Sequence, residues 1–146
     1  MFAVVLAVTL FATAASAPLV DSGAERTVMQ DVNQERARAH VGALVSDEDL
    51  HAIAVARADD MAARHYFDHK TPEGTVAFVD ALRRTAFHFT AAGENIALAP
   101  TVEVAEQGLW NSPGHRENML DSRFSRAGIA VVWVGPEVYV IEVFAD

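Results

Sequence analysis

Three short stretches of this chain carry the side chains that could do chemistry. Tyr66-Phe67-Asp68-His69-Lys70-Thr71-Pro72 offers one imidazole. Ala92-Gly93-Glu94-Asn95-Ile96-Ala97 offers a carboxylate, and Trp110-Asn111-Ser112-Pro113-Gly114-His115-Arg116-Glu117-Asn118-Met119-Leu120 offers a second imidazole. Two His and one carboxylate are a donor set suited to Zn²⁺ or a similar divalent ion, with positions left open for water or substrate. The same trio can act without metal, the carboxylate orienting a His that accepts a proton. A structural reading stands beside both: Glu94 and Asn95 satisfy backbone groups in a buried loop, and the two His lie on the surface. His69, Glu94 and His115 are thus the candidate metal ligands and the candidate catalytic residues.

Several elements must bring these residues together. Ser112 is a good N-cap and Pro113 suits the first helical position, which places His115 in the first turn of a short helix from about Pro113 to Met119. Thr101 can cap the preceding helix, whose Val102, Ala105 and Leu109 face the core and whose last residue, Trp110, is a packing anchor. Upstream, Val28, Met29, Val32 and Ala39 fall at helical spacing, and Gly42 is expected to end that helix. Ser46 and Asp49 read as a capping box for a long helix, with Leu50, Ile53, Ala54, Ala58, Met61 and Ala62 on one apolar face. His65 continues that face and reads as a core-edge residue. Phe78, Val79, Leu82 and Ala86 predict a third helix with Arg83 and Arg84 in solvent. The last third changes period. Gly128–Val134 and Val138–Phe144 are β-branched and aromatic runs around Gly135-Pro136-Glu137, a hairpin signature with Val132 or Trp133 buried. Ile129 to Val134 is apolar on both faces, so helices should flank the sheet on both sides. A third strand is expected near Phe87–Phe89 or Glu94–Ala97.

Other chemistries find little support. The chain has no cysteine, which excludes zinc-thiolate sites and cysteine nucleophiles. There is no Gly-x-Ser-x-Gly elbow, no His-Glu-x-x-His and no phosphate-cradling Gly-rich motif. The acidic Asp59-Asp60 pair reads as solvated, and Asp47-Glu48-Asp49 complements a helix N-terminus. The formal net charge of −9, from 20 acidic and 11 basic residues, argues against nucleic-acid partners and anionic membrane surfaces. With 146 residues, 51% hydrophobic and 21% charged, the composition fits one globular domain able to build a core without disulfides.

The three stretches, in this order, resemble the CAP superfamily: cysteine-rich secretory proteins, antigen 5 and pathogenesis-related proteins, also called SCP domains. The likeness runs from about Val28, with Val32-Asn33-Gln34-Glu35-Arg36 in the first helix, to Phe144, and is greatest to the short cysteine-free bacterial members. It implies an α+β fold, a three-layer α-β-α sandwich around a small antiparallel sheet. It also implies that His69, Glu94 and His115 line the family's cavity. Members with the full site carry a second Glu three residues after the Trp, where this chain has Pro113, so the implied site is reduced to His-Glu-His. Asp68 and Glu117 are the carboxylates at hand to replace it, and Asn118 and Arg116 are expected to brace the loop.

The expected organisation is a signal peptide over residues 1–17, a short lead-in over 18–27 and a CAP domain over 28–146. Met1 to Ala17 is uncharged and apolar and ends in Ala15-Ser16-Ala17, small residues suited to cleavage. It is too short and Ala-rich for a transmembrane helix, so the mature chain is expected to have no stable span and to be secreted or associated with the cell envelope. The leading expectation for function is a binding module whose His/Glu-lined cleft takes a small molecule, lipid or peptide, with or without a divalent metal such as Zn²⁺. A metal-assisted hydrolase using the same three residues is the alternative. An extracellular interaction scaffold with a vestigial cleft is the third.

Overall fold

The computed structural model describes residues 18–86 and 88–146. The expected signal segment, residues 1–17, and Phe87 lie outside them. In chain order the elements are β1 (Leu19–Val20), α1 (Ser22–Arg38), β2 (Val45–Ser46), α2 (Glu48–Arg64), α3 (Ala77–Arg84), β3 (Ala92–Ala99), α4 (Val102–Asn111), α5 (Pro113–Leu120), β4 (Arg126–Val134) and β5 (Glu137–Ala145). The strands form one sheet in the order β1-β4-β5-β3, each neighbour antiparallel, and the two-residue β2 joins β4 in parallel. Helices α2 and α3 pack on one face, and α1, α4 and α5 on the other. This is the α+β, three-layer α-β-α sandwich expected from the sequence.

The central hairpin shows why its strands are apolar on both faces. Alternate residues Ala127, Ile129 and Val131 of β4 enter the core under α1, α4 and α5, while Ala130 and Val132 enter the core under α2 and α3. In β5, Val138, Val140 and Phe144 belong to the first core, and Tyr139, Ile141 and Val143 to the second. Full burial of one such aliphatic side chain contributes about 1.5–3 kcal/mol, so these two strands anchor both layers. Val134 pairs with Glu137, which leaves a two-residue turn. Gly135 supplies the positive φ of 61° that its first position requires. Of the two residues expected to be buried here, Val132 is fully buried and Trp133 only half-buried.

Boundaries depart from the sequence reading at several points. The third strand follows the Glu94–Ala97 alternative and extends it to Ala92–Ala99. Helix α1 begins at Ser22, where Asp21 Oδ1 accepts from the Ala24 amide at 3.0 Å, so residues read as lead-in are already helical. A polar first turn carries no apolar period, and only its cap betrays it. The same helix ends at Arg38 and not at Gly42; His40 takes the left-handed conformation with φ 57°. Asp47, not Ser46, caps α2, accepting from the Asp49 and Leu50 amides. Ser46 is committed to β2, where it pairs with Ala127. His65 is an exposed, left-handed C-cap of α2 with φ 55°, not a core-edge residue. Ala86 falls beyond the end of α3 and is exposed.

Gly128 fixes how closely α2 rides on β4. A Cβ there would lie 2.0 Å from the Leu50 carbonyl carbon and 2.1 Å from the His51 nitrogen, both backbone atoms. The sheet therefore touches the first turn of α2 directly, backbone against backbone.

Candidate functional site

Strand β3 divides the site between its two faces. Glu94 shares a face with Ile96 and points toward α2, whereas Asn95 shares a face with Ala99 and points toward α4 and α5. The strand can run this close to α5 because residue 93 is glycine; a Cβ there would meet the Phe124 ring at 3.1 Å and Asn118 Oδ1 at 3.3 Å.

Glu94 is buried, with both oxygens engaged. Its Oε1 accepts from Arg57 Nε at 2.8 Å and its Oε2 meets His69 Nδ1 at 2.8 Å. Arg57, only 3% exposed, lies on the apolar face of α2. It also donates through Nη1 to the Tyr66 hydroxyl at 2.8 Å and through Nη2 to the Asp68 carbonyl at 2.7 Å. One guanidinium thus ties the 66–69 loop to the sheet and sets where His69 stands. Burial pulls the Arg57 guanidinium down, but hydrogen bonding and charge from Glu94 outweigh it, so the net displacement is upward. The Tyr66 hydroxyl donates on to Asp60, which draws that carboxylate into the same network. The hydrogen bond to Glu94 holds the His69 imidazolium above its ordinary range, against the opposing effect of burial.

His115 arrives from the other side, on the first turn of α5. Pro113 is at the helix start as the sequence predicts, although Ser112 makes no side-chain capping bond. The His69 and His115 rings lie 6.5 Å apart between centroids. Burial first, and the proximity of His69 second, push the His115 imidazolium down, which favours the neutral ring. Its Nδ1 is buried with no hydrogen-bond partner among the described residues. Asn95 anchors this side: its Nδ2 donates to the His115 carbonyl at 3.0 Å and to Glu142 Oε2 at 2.7 Å, and its Oδ1 accepts from Asn118 Nδ2 at 2.9 Å. Arg116 donates to the Trp110 carbonyl at 3.1 Å. Asn118 and Arg116 therefore brace the turn as expected. Asp68 and Glu117 are both exposed, and the Asp68 side chain accepts from the Lys70 amide.

The structure thus brings His69, Glu94 and His115 to one place in unequal roles. Glu94 stands behind His69 as an orienting carboxylate, the arrangement that fixes the tautomer of a metal-ligating imidazole. With Nδ1 engaged, Nε2 is the His69 atom left for a ligand, and His115 brings a second imidazole whose neutral form burial favours. Two imidazoles fit a divalent ion in chemical type. The ring separation exceeds the roughly 5 Å expected for two imidazoles sharing one tetrahedral ion at about 2.1 Å, so the pair must close to share it. Among the described residues no group of three or more His, Cys, Asp or Glu is arranged to hold a metal.

A groove of about 290 Å³ runs from His115 along β3. Its walls include Ile96 and Leu98 of β3, Val104 and Gly108 of α4, and Phe67 of the loop. Phe67 and Val104 are 45% and 50% exposed, notable for apolar side chains flanking a groove. Among the described residues β3 pairs only with β5, so its other edge is open. The Asp146 amide donates to the Ala91 carbonyl at 3.3 Å. By antiparallel alternation Gly93, Asn95, Ala97 and Ala99 then face β5, and the backbone N–H and C=O of Ile96 and Leu98 point to the open edge.

Sequence reasoning missed Arg57, Tyr66 and Glu142. Arg57 was legible as a charge within the apolar spacing of Leu50, Ile53, Ala54, Ala58 and Met61. Glu142 was legible as a charge inside the apolar run Val138–Phe144.

Comparison with known proteins accords with this architecture. Residues 29–144 match the CAP family, described as the cysteine-rich secretory protein family. The chain is 36% identical over 124 residues to the uncharacterized protein YkwD of Bacillus subtilis (strain 168), covering 84% of this chain and 48% of that one. It spans about half the length, or less, of the curated relatives it matches. Among solved structures, an extracellular protein containing an SCP domain from Bacillus anthracis str. Ames shares 33% identity and a TM-score of 0.72, over 84% of this chain and 40% of that one. An outer surface protein from Borrelia burgdorferi shares the fold at a TM-score of 0.81 with 14% identity, over 89% and 97% of the two chains. With the family pattern spanning the sheet, the helices and all three site stretches, the chain belongs to the cysteine-rich secretory protein (CAP) family.

Proposed function

We propose that this CAP domain is a binding module acting outside the cytoplasm, and that its groove takes an extended peptide segment with one end at the His69–His115 pair. The observation that carries this reading is the open edge of β3 beside an apolar groove. A peptide added as a further strand would satisfy the outward N–H and C=O groups of Ile96 and Leu98 while placing alternate side chains against Phe67 and Val104. An acyl chain could use the same apolar walls but would desolvate those backbone groups without pairing them, at about 1–3 kcal/mol for each group left unsatisfied. That difference favours peptide over lipid. The extracellular and outer-surface relatives support the assignment of place.

The test compares two probes by fluorescence anisotropy: a labelled ten-residue peptide of alternating valine and threonine, and a fluorescent fatty acid. The peptide should bind, and its alternately N-methylated form should not. Leu98→Pro removes one outward N–H from an edge strand, where proline is tolerated, and should weaken peptide binding without unfolding the chain. Fatty-acid binding without peptide binding, or an unchanged Leu98→Pro variant, would sink the peptide reading.

The proximity of the two imidazole rings and the Glu94–His69 contact favour one second reading, a metal-assisted hydrolase in which His69 and His115 hold a divalent ion. Such an ion would supply an activated water or polarise a carbonyl. Zn²⁺ at a hundredfold excess over its dissociation constant would raise stability by about 2.7 kcal/mol, visible by thermal melting and lost in His115→Ala. The hydrolase reading additionally requires metal-dependent turnover.

A further inference from the structure

We infer that Glu106 and Glu142 form a buried acid pair that makes the docking of α4 pH-dependent, held while the pair keeps a proton and loosened when both carboxyls ionise. Glu142 lies in the middle of β5 with no exposed surface; its Oε2 accepts from Asn95, and its Oε1 has no partner among the described residues. Glu106 projects from α4 on the same side of the sheet, and both its oxygens are buried and likewise without partners. Three buried carboxylate oxygens therefore lack donors. A proton held by one of the two carboxyls supplies one, because a protonated carboxyl donates where a carboxylate can only accept.

Among the described residues, no positive charge acts on either carboxyl to replace that proton. Strand β3 contributes the neutral Asn95 amide, and α5 contributes the His115 carbonyl through the same amide. Helix α1 contributes Asp31, whose negative charge opposes ionisation of Glu106. The buried cation of this layer, Arg36, spends its donors on the carbonyls of Gly42, Met119, Asp121 and Phe124. Two ionised carboxylates in an apolar layer would repel each other with nothing to screen them. Strand β5 is fixed by hydrogen-bonded neighbours on both sides, so α4 is the element able to yield.

The pH dependence has a definite sign. Burial and the charge of Glu142 push Glu106 up to about 8, and burial pushes Glu142 up to about 7, from an ordinary value of 4.5. Groups raised in this way stabilise the fold fully below about 4.5, and that contribution is lost as pH climbs through 7 to 8. Helix α4 carries Val104 and Gly108 of the groove wall, and Asn95 links Glu142 to His115, so the same event reaches both ends of the groove. The effect on ligand binding rests on the peptide-binding reading above; the loosening of α4 does not, and is measured without ligand.

The experiment is hydrogen exchange by mass spectrometry at pH 6.0 and 8.5, corrected for the intrinsic rate, alongside thermal melts. In the wild-type chain the protection of residues 102–111 should fall about tenfold or more, since each tenfold drop in proton activity can move a proton-linked equilibrium by up to about tenfold for every proton released. Helix α2 should keep its protection, and Tm should drop across the same interval. Glu142→Gln should reduce both responses and raise Tm at pH 8.5, the double variant with Glu106→Gln should flatten them, and Glu106→Gln alone takes the place of the first variant should that fold poorly. Wild-type pH dependence retained in the glutamine variants, or equal loosening of α2 and α4, would overturn the inference. Peptide binding absent at every pH would remove the proposed ligand while leaving the exchange result to decide the acid pair.

Discussion

Arg57 reaches Glu94, Tyr66 and the Asp68 carbonyl with a single buried guanidinium, so the position of His69 depends on a residue it does not itself bond. Removing one member of a buried ion pair leaves the other desolvated and uncompensated, at about 3–5 kcal/mol. Arg57→Met should therefore lower the unfolding free energy by an amount of that order, read as a fall in the urea midpoint at constant m-value. Adding Glu94→Gln should recover a large part of the loss, because the unpaired charge is then gone. A midpoint unchanged in the single variant would mean that Glu94 finds another partner. His69, Glu94 and His115 were legible as candidates from residue type and spacing. Their division into one orienting carboxylate and two donors was not, because that depends on which neighbour occupies each oxygen.

The seam between α2 and β4 depends on an absent side chain. At Gly128 a methyl group would overlap the backbone of Leu50 and His51, atoms that cannot rotate away. Gly128→Ala should cost about 3 kcal/mol or more, the upper part of the range for overpacking. Gly108 on α4 is the control, since a Cβ there meets nothing within 4 Å. Gly108→Ala should stabilise by about 0.4–1 kcal/mol through the unfolded chain. Chemical denaturation of the two variants separates them, and equal effects would contradict the close approach. The sequence shows a glycine opening a strand in one case and inside a helix in the other; only the packing tells which is obligatory.

Across the whole molecule two cores share one sheet, and each central strand feeds both. Losing either helical layer strips one face of β4 and β5 and exposes Ile129 and Val131, or Ala130 and Val132. Neither layer is therefore expected to unfold alone at neutral pH. Trp110 and Trp133 both pack against the core under α1, α4 and α5, so their fluorescence reports that layer, while far-UV circular dichroism reports all helices. The two denaturation midpoints should coincide, as a two-state transition requires. Separated midpoints would show that the layers are independent.

Sequence by itself determined the layers. The two-sided apolar runs of β4 and β5 demand cover on both faces, and the helical spacing around Val28, Leu50, Leu82 and Leu109 supplies it. It also placed the start of α5 at Pro113, since proline and its neighbours act locally on the backbone. Tertiary structure decided what depends on partners distant in sequence: that Arg57 neutralises Glu94 and, among the described residues, that β3 keeps one edge open and that Glu142 lies near Glu106 without a cation. Periodicity reports which face a residue occupies, and a charged residue on the inner face can be a pair, a ligand or a proton store. The distinction is electrostatic: it is set by the few ångströms between groups that the fold brings together from opposite ends of the chain.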